Sequence, residues 1–248
     1  MLKANQLTKE YRIKGEGKKS RFTAVKPTTL ELPGQARCAL VGESGSGKTT
    51  LVRMLAGIIT PTSGSVELDG QNIFRANKRQ DIYRKLQIVF QDAASSLNPQ
   101  MTVYELIAEP LRNLLRVSRA EEKNRVYELM ERMDLPQDYC RRRPKELSGG
   151  QQKRVSIARA ISVNPEIVIF DEAFSGLDVI VRMQILQLLD ELHEELKCTY
   201  LMITHDMDVA LYMADTILVM KEGEIVESVQ YRGSTDCFQH EYSRLLLR

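Results

Sequence analysis

Two glycine-rich segments carry the chemistry most directly readable in this 248-residue chain, one beginning at Gly42 and the other at Leu147. Gly42-Glu43-Ser44-Gly45-Ser46-Gly47-Lys48-Thr49, followed by Thr50, is a complete G-x-x-x-x-G-K-[ST] pattern. An apolar, strand-like stretch (Cys38 to Val41) precedes it and a helix-like stretch follows. Polyphosphate is an extended anion, so holding it takes close backbone approach and many N–H donors. Gly45 and Gly47 let such a loop wrap tightly, and its amides point at the β-phosphate beside a helix N-terminus. Lys48 adds a point charge toward the β/γ-phosphates, and the Thr49 hydroxyl can ligate Mg²⁺. The plainer alternative is a glycine-rich strand-to-helix turn with an incidental lysine, and the flanking pattern weighs against it.

The second segment, Leu147-Ser148-Gly149-Gly150-Gln151, is far rarer by chance than the first. Downstream, Ile167-Val168-Ile169-Phe170-Asp171-Glu172 is an apolar strand ending in two carboxylates. A buried strand that delivers acids at its C-terminal end puts them where parallel sheets bind ligands. Taken alone, the hexapeptide is better read as a strand capped by two solvated acids. Its position 23 residues after Ser148 reverses that preference.

The elements that must position these residues alternate between short apolar or β-branched runs and longer segments of helical period. That is the signature of an α/β protein with a mainly parallel sheet and flanking helices. Strands are expected at 37–41, 86–90, 167–170, 199–203 and 216–220. Helices are expected over Lys48–Ala56 and over Val179–Leu196, the latter with Ile185, Leu188, Leu192 and Leu196 on one stripe. Lys221-Glu222-Gly223-Glu224 reads as a hairpin turn. Between about Gln91 and Asn164 the texture changes to helix formers without a strand, opening with the turn-rich Ser95-Ser96-Leu97-Asn98-Pro99. We read 91–164 as a helical subdomain inserted into a core formed by 1–90 and 165–248. Lys14 to Arg21 reads as a solvated turn between two N-terminal strands.

Composition narrows the classes. Hydrophobic residues at 43% and charged residues at 27% suit a globular protein with a sizeable core. A net charge of +2 makes no general case for nucleic-acid binding. No run of apolar residues is long enough to span a membrane, and Met1 to Gln6 lack the apolar core of a secretory signal. Cys38, Cys140, Cys198 and Cys237 have no C-x-x-C spacing, which suits a reducing compartment and argues against a metal or iron–sulfur site. His193, among Glu191, Glu194 and Glu195, reads as part of a solvated helix face, and Arg141-Arg142-Arg143 as a solvated loop. Asn77-Lys78-Arg79-Gln80 begins like N-K-x-D but lacks the aspartate, which argues against guanine.

Together the two glycine motifs resemble the ABC-type ATPase family, and the resemblance runs from Leu7 to Leu247. It implies a phosphate-loop ATPase core with an N-terminal antiparallel β part and the inserted helical subdomain, all within a single ABC ATPase domain. ATP and Mg²⁺ are the implied ligands. In that family the phosphate loop of one subunit and the LSGGQ of another close over a shared ATP. The resemblance makes Asp171 the aspartate that holds Mg²⁺ through water and Glu172 the general base acting on the attacking water, which the adjacent backbone position permits. Gln91, after the strand Leu86 to Phe90, matches the Q-loop glutamine that senses Mg²⁺ and links to the membrane subunit. His205 matches the switch histidine at the γ-phosphate, and Ser175-Gly176-Leu177-Asp178 the D-loop. Tyr11 stands where the family has an aromatic stacked on adenine.

Two segments narrow the branch. Gln91-Asp92-Ala93-Ala94-Ser95-Ser96-Leu97-Asn98-Pro99 and His240-Glu241-Tyr242-Ser243-Arg244-Leu245-Leu246 resemble the extended Q-loop and the H-P-Y-T-x-x-L-L tail of bacterial oligopeptide, dipeptide and nickel importer ATPases. The chain departs from that pattern at Ala93 and Glu241, where proline is usual, and at Ala173-Phe174 after the glutamate. The implied setting is the cytoplasmic face of a membrane, peripherally bound. The implied partners are a second ABC ATPase (a sister or a copy of this chain, head to tail), two permease subunits and an extracytoplasmic substrate-binding protein, without nucleic acid. An accessory ATPase of a phosphonate-degrading complex and a non-transport ABC protein are the alternatives.

Overall fold

The computed structural model describes residues 1–14, 19–76 and 79–247. In chain order its first half contains strands β1 (Leu2–Lys14), β2 (Lys19–Leu32) and β3 (Arg37–Val41), helix α1 (Lys48–Leu55), β4 (Ser63–Leu68), β5 (Gln71–Asn72), α2 (Arg79–Lys85), β6 (Leu86–Val89), α3 (Ala93–Ser96), α4 (Val103–Pro110) and α5 (Arg119–Arg132). Then follow α6 (Gly149–Ile161), β7 (Ile167–Asp171), α7 (Val179–Leu196), β8 (Thr199–Thr204), α8 (Met207–Met213), β9 (Thr216–Lys221), β10 (Glu224–Gln230) and α9 (Glu241–Leu246). This is the expected α/β class, and each anticipated core strand is present. Residues 15–18 of the expected N-terminal turn, and Asn77-Lys78, lie outside the described residues. Among the described residues no helix is long and apolar enough to cross a membrane.

The chain divides into two compact units. The first comprises Met1–Arg79 with Thr199–Arg248. In it β1 pairs antiparallel with β2 and β4, and β5 pairs antiparallel with β4 at the sheet edge. Gln6 adopts a left-handed φ of 46° where the β1–β2 register slips between Ala4 and Leu7. The bulge resets the two-residue alternation, so Leu2, Ala4 and Leu7 are all buried. In the same unit β3 runs parallel between β8 and β9, and β10 returns antiparallel on β9. The return is made by Glu222 and Gly223, both at positive φ, in the anticipated hairpin. All six residues of β8 are buried, which is why it reads as a continuous apolar run and not an alternating one. Met207 and Ala210 of α8, Ile217 and Val219 of β9, and Phe238 and Tyr242 from the C-terminal segment pack with Ala39 and Val41 of β3.

The second unit is Gln80–Cys198. β6 pairs parallel with the fully buried β7, and between 91 and 164 there are helices and turns but no strand. α6 carries Val155, Ile157, Ala158, Ala160 and Ile161 in the core. Polar caps set the helix starts: Asp92, Thr102, Ser118, Ser148 and Asp178 each accept a backbone N–H of the following turn. Asp92 accepts from Ala94 and Ser95, and so winds Ala93–Ser96, which takes in the first two residues of the turn-rich stretch, into one helical turn. α7 has the anticipated limits and a partly different inner face, with Ile185 and Leu192 buried as expected. Its buried residues are Ile185, Leu186, Leu189, Leu192 and His193, while Leu188 and Leu196 are half-buried. His193 is therefore not on a solvated face; it is 6% exposed. The spacing 186, 189, 193 defines the inward stripe, and Glu191, Glu194 and Glu195 fall on its outer side.

Candidate functional site

The phosphate loop is shaped by two points of backbone contact. Immediately after β3, Gly42 lies so close to β9 that a Cβ there would stand 2.1 Å from the Met220 carbonyl oxygen. Gly47 has a φ of 105°, in the region that favours glycine, and a Cβ there would lie 2.4 Å from the Ala24 carbonyl oxygen. Between them Glu43, Ser44 and Gly45 are exposed, and α1 begins at Lys48. Lys48 is only 3% exposed, and its ammonium donates to the carbonyls of Gly42 (2.7 Å) and Glu43 (2.8 Å), with the Ser46 hydroxyl at 3.5 Å. A fixed cation beside a helix N-terminus and a glycine-shaped turn is a fit for phosphate oxygens. Thr49 and Thr50 follow, half-buried, in the first turn of α1.

The same unit positions two further expected residues. The parallel register pairs Val41 with Thr204, so Gly42 and His205 leave neighbouring strand ends at one level. His205 is exposed there. Tyr11 lies on the antiparallel sheet opposite Phe22, is 41% exposed, and has the Lys9 ammonium 5.4 Å from its ring centroid.

The acidic residues belong to the second unit. Val89 of β6 pairs with Phe170 of β7, so Gln91 and Glu172 leave adjacent strand ends level with one another. Asp171, the last residue of β7, is 4% exposed. Glu172 has a φ of 46°, uncommon for a residue with a side chain, and strain of this kind persists only where the surroundings impose it. Ser175 supplies part of that constraint: its amide and hydroxyl both donate to the Glu172 carbonyl, at 3.2 and 2.9 Å. Gln91 Nε2 donates in turn to Ser175 Oγ at 3.2 Å. Lys153, from α6, donates to the carbonyls of Phe90 (2.9 Å) and Gln91 (2.8 Å). Burial pulls the Lys153 pKa down to about 8, against the opposing attraction of the Asp92 carboxylate. Gln91, Ser175 and Glu172 are thus joined in one hydrogen-bonded chain, anchored to α6 through Lys153. Sequence reasoning missed Lys153, because a lysine on a helix ordinarily reads as solvated.

Ser148 starts α6 as its N-cap. Its hydroxyl accepts from the Gln151 amide at 3.3 Å, and Gln151 Oε1 accepts from the Ser148 amide at 3.0 Å. This reciprocal box places the hydroxyl at the helix mouth with its proton still able to donate. The Gln151 side chain is thereby used in the cap. A Cβ at Gly150 would stand 2.7 Å from Val181 Cγ1, whereas one at Gly149 would meet nothing within 4 Å. The mouth of the 13-residue α6 is therefore open on the Gly149 side and packed on the Gly150 side. In the preceding loop Arg142 lies 3.4 Å over the Tyr139 ring, while Arg141 and Arg143 are exposed.

Residues 25–175 match the family described as ABC transporter. The chain is similar to a Brucella abortus protein provisionally named as a peptide import ATP-binding protein. The two are 40% identical over an alignment of 252 residues that covers all of this chain and 75% of that protein. It is 35% identical to the nickel import ATP-binding protein NikE of Escherichia coli over 249 residues, covering 99% of this chain and 92% of NikE. Among solved structures it is similar to a dimeric ATP-binding cassette in a post-hydrolysis state bound to ADP and Pi. The TM-score is 0.84 at 32% identity, over 94% of this chain and 100% of that one.

Proposed function

The chain belongs to the ABC transporter family, and on that premise we propose that it is the ATP-binding and ATP-hydrolysing subunit of a bacterial importer for peptides or nickel complexes. The names of its relatives support that cargo class. The observation that carries the ATPase reading is the buried Lys48 ammonium lying across the loop that opens at Gly42. Lys48 and the loop amides from Ser44 to Thr49 hold the β- and γ-phosphates. Tyr11 offers an exposed ring on which adenine can stack. The Thr49 hydroxyl and the Asp171 carboxylate are hard oxygen donors, suited to Mg²⁺, which takes one or two protein oxygens plus phosphates and water. When bound, Mg²⁺ neutralises charge on the phosphate oxygens.

Glu172 acts as the base, taking up a proton from the attacking water, and Gln91 orients that water and the metal's hydration shell. His205 donates toward the γ-phosphate. Ser148 and the Gly149 and Gly150 amides serve the nucleotide of a second ATPase subunit, which is either a sister protein or another copy of this chain, arranged head to tail. Two permeases and an external binding protein complete the assembly, and they place this subunit peripherally at the cytoplasmic face of the membrane. We read the chain as a single ABC ATPase domain.

Glu172→Gln is the test. The amide keeps size and hydrogen bonding but cannot accept the proton, so phosphate release under saturating MgATP should drop by about 10²–10⁴ while ATP still binds. Near wild-type turnover would remove Glu172 from this role.

A further inference from the structure

The C-terminal segment reaches the phosphate loop. Tyr242, on α9, is 5% exposed, and its phenol oxygen accepts the backbone N–H of Glu43 at 3.0 Å. The two residues are 199 positions apart in the chain. Several contacts aim that phenol. Glu227 Oε1 on β10 accepts the amides of Gln239 (2.6 Å) and His240 (3.0 Å), fixing the approach to α9. His240 Nδ1 then accepts the Tyr242 amide at 3.1 Å, capping the helix. The Lys221 ammonium, at the end of β9, stands 4.9 Å from the centroid of the Tyr242 ring. On the other side of the loop the β9–β10 turn adds a second tie, with the Gly223 amide donating to Ser46 O at 2.8 Å.

We infer that Tyr242 is a positioning residue for nucleotide binding, holding the first turn of the phosphate loop in its phosphate-ready shape from the far end of the chain. This rests on the reading of Gly42–Thr49 as the phosphate loop. Glu43 has an exposed side chain and its carbonyl is held by the Lys48 ammonium and the Ser46 amide, so the phenol fixes what remains free at this residue, the direction of its N–H. The phenol oxygen engages the Glu43 amide, and the Ser46 amide turns back onto the Glu43 carbonyl at 3.2 Å. When only a fraction of molecules holds the competent loop, the apparent dissociation constant rises by the inverse of that fraction. The hydroxyl therefore acts on affinity, while the chemical step, once nucleotide is bound, is unaffected.

The test is calorimetric titration of the wild-type chain, Tyr242→Phe and Lys48→Ala with MgATP, together with steady-state turnover. Tyr242→Phe keeps the ring and its packing and deletes one oxygen. The amide it releases is partly open to water, so weakening should be roughly three- to tenfold in both Kd and KM, with kcat within about twofold. A loss confined to packing would lower thermal stability without moving KM against kcat. A Kd for Tyr242→Phe within twofold of wild type would overturn the inference. Should that variant not fold, His240→Ala, which removes the cap that aims Tyr242, must weaken Kd in the same direction, and an unchanged value there overturns the inference equally. A wild type that binds no nucleotide, or binds no better than Lys48→Ala, would instead count against the phosphate-loop reading itself.

Discussion

Replacing Lys48 with alanine separates binding charge from fold. In the folded chain the ammonium is buried and lies 2.7 and 2.8 Å from two loop carbonyls. The β- and γ-phosphates each carry about a unit charge or more, and an ammonium about 4 Å from both, at an effective dielectric near 20, gains roughly 8 kcal/mol. Against this stand the bonds to Gly42 O and Glu43 O that the ammonium shares or gives up on engaging phosphate, each a charge-assisted contact of about 1.5–3 kcal/mol. The surplus should still exceed about 1.4 kcal/mol, which is tenfold in affinity. The loop amides cannot make up the difference, since they are dipoles and not a full charge. Thermal stability should fall by about 1–3 kcal/mol, because the Gly42 carbonyl is released in a buried position while that of Glu43 borders an exposed stretch. Isothermal titration of MgATP, with circular dichroism to verify the fold, reads both quantities. An unchanged dissociation constant in a folded Lys48→Ala protein would refute the reasoning.

Lys153→Met should loosen Gln91 and lower turnover, and it has a pH signature. The folded pKa of about 8 lies below the ordinary 10.5, so the unfolded chain binds more protons between these values and wild-type stability from this group rises with pH across that window. Urea midpoints at pH 7.5 and 9.5 should therefore shift upward in wild type relative to the variant, and parallel behaviour would contradict the burial argument. Gly150→Ala should destabilise by about 1–3 kcal/mol through the contact with Val181, whereas Gly149→Ala should leave the melting temperature unchanged yet reduce ATPase activity, because its methyl enters the open mouth of α6. Equal melting temperatures for the two variants would show that the packing asymmetry is absent.

What could be read in advance divides along physical lines. β3, β7 and β8 were legible because strands buried on both faces are unbroken apolar runs, and α1 and α7 because glycine, aspartate and helical period mark their limits. The residues proposed to bind phosphate could be picked out in advance because phosphate binding demands particular residue types at fixed spacing. The inner face of α7 was legible only in part: Ile185 and Leu192 of the expected stripe are buried, but Leu188 and Leu196 give way to Leu186, Leu189 and His193, a choice made by packing against the rest of its unit. The left-handed backbone of Glu172 leaves no mark in composition, being imposed in part by Ser175. Lys153 and Tyr242 act on backbone atoms far away in sequence, a class of contact that side-chain patterns do not encode.

The central claim is that this chain hydrolyses ATP at sites completed by a second ATPase subunit, and specific activity measured against protein concentration tests it most directly. A chain that pairs with itself should bind ATP as a monomer yet gain turnover per subunit as concentration brings copies together. A chain that needs a sister subunit should stay nearly inactive until that partner is added. Ser148→Arg, whose bulk and charge block the mouth of α6 without touching the phosphate loop, should abolish turnover and leave monomer ATP affinity nearly intact. Full turnover from a demonstrably monomeric protein, or from Ser148→Arg, would contradict the account.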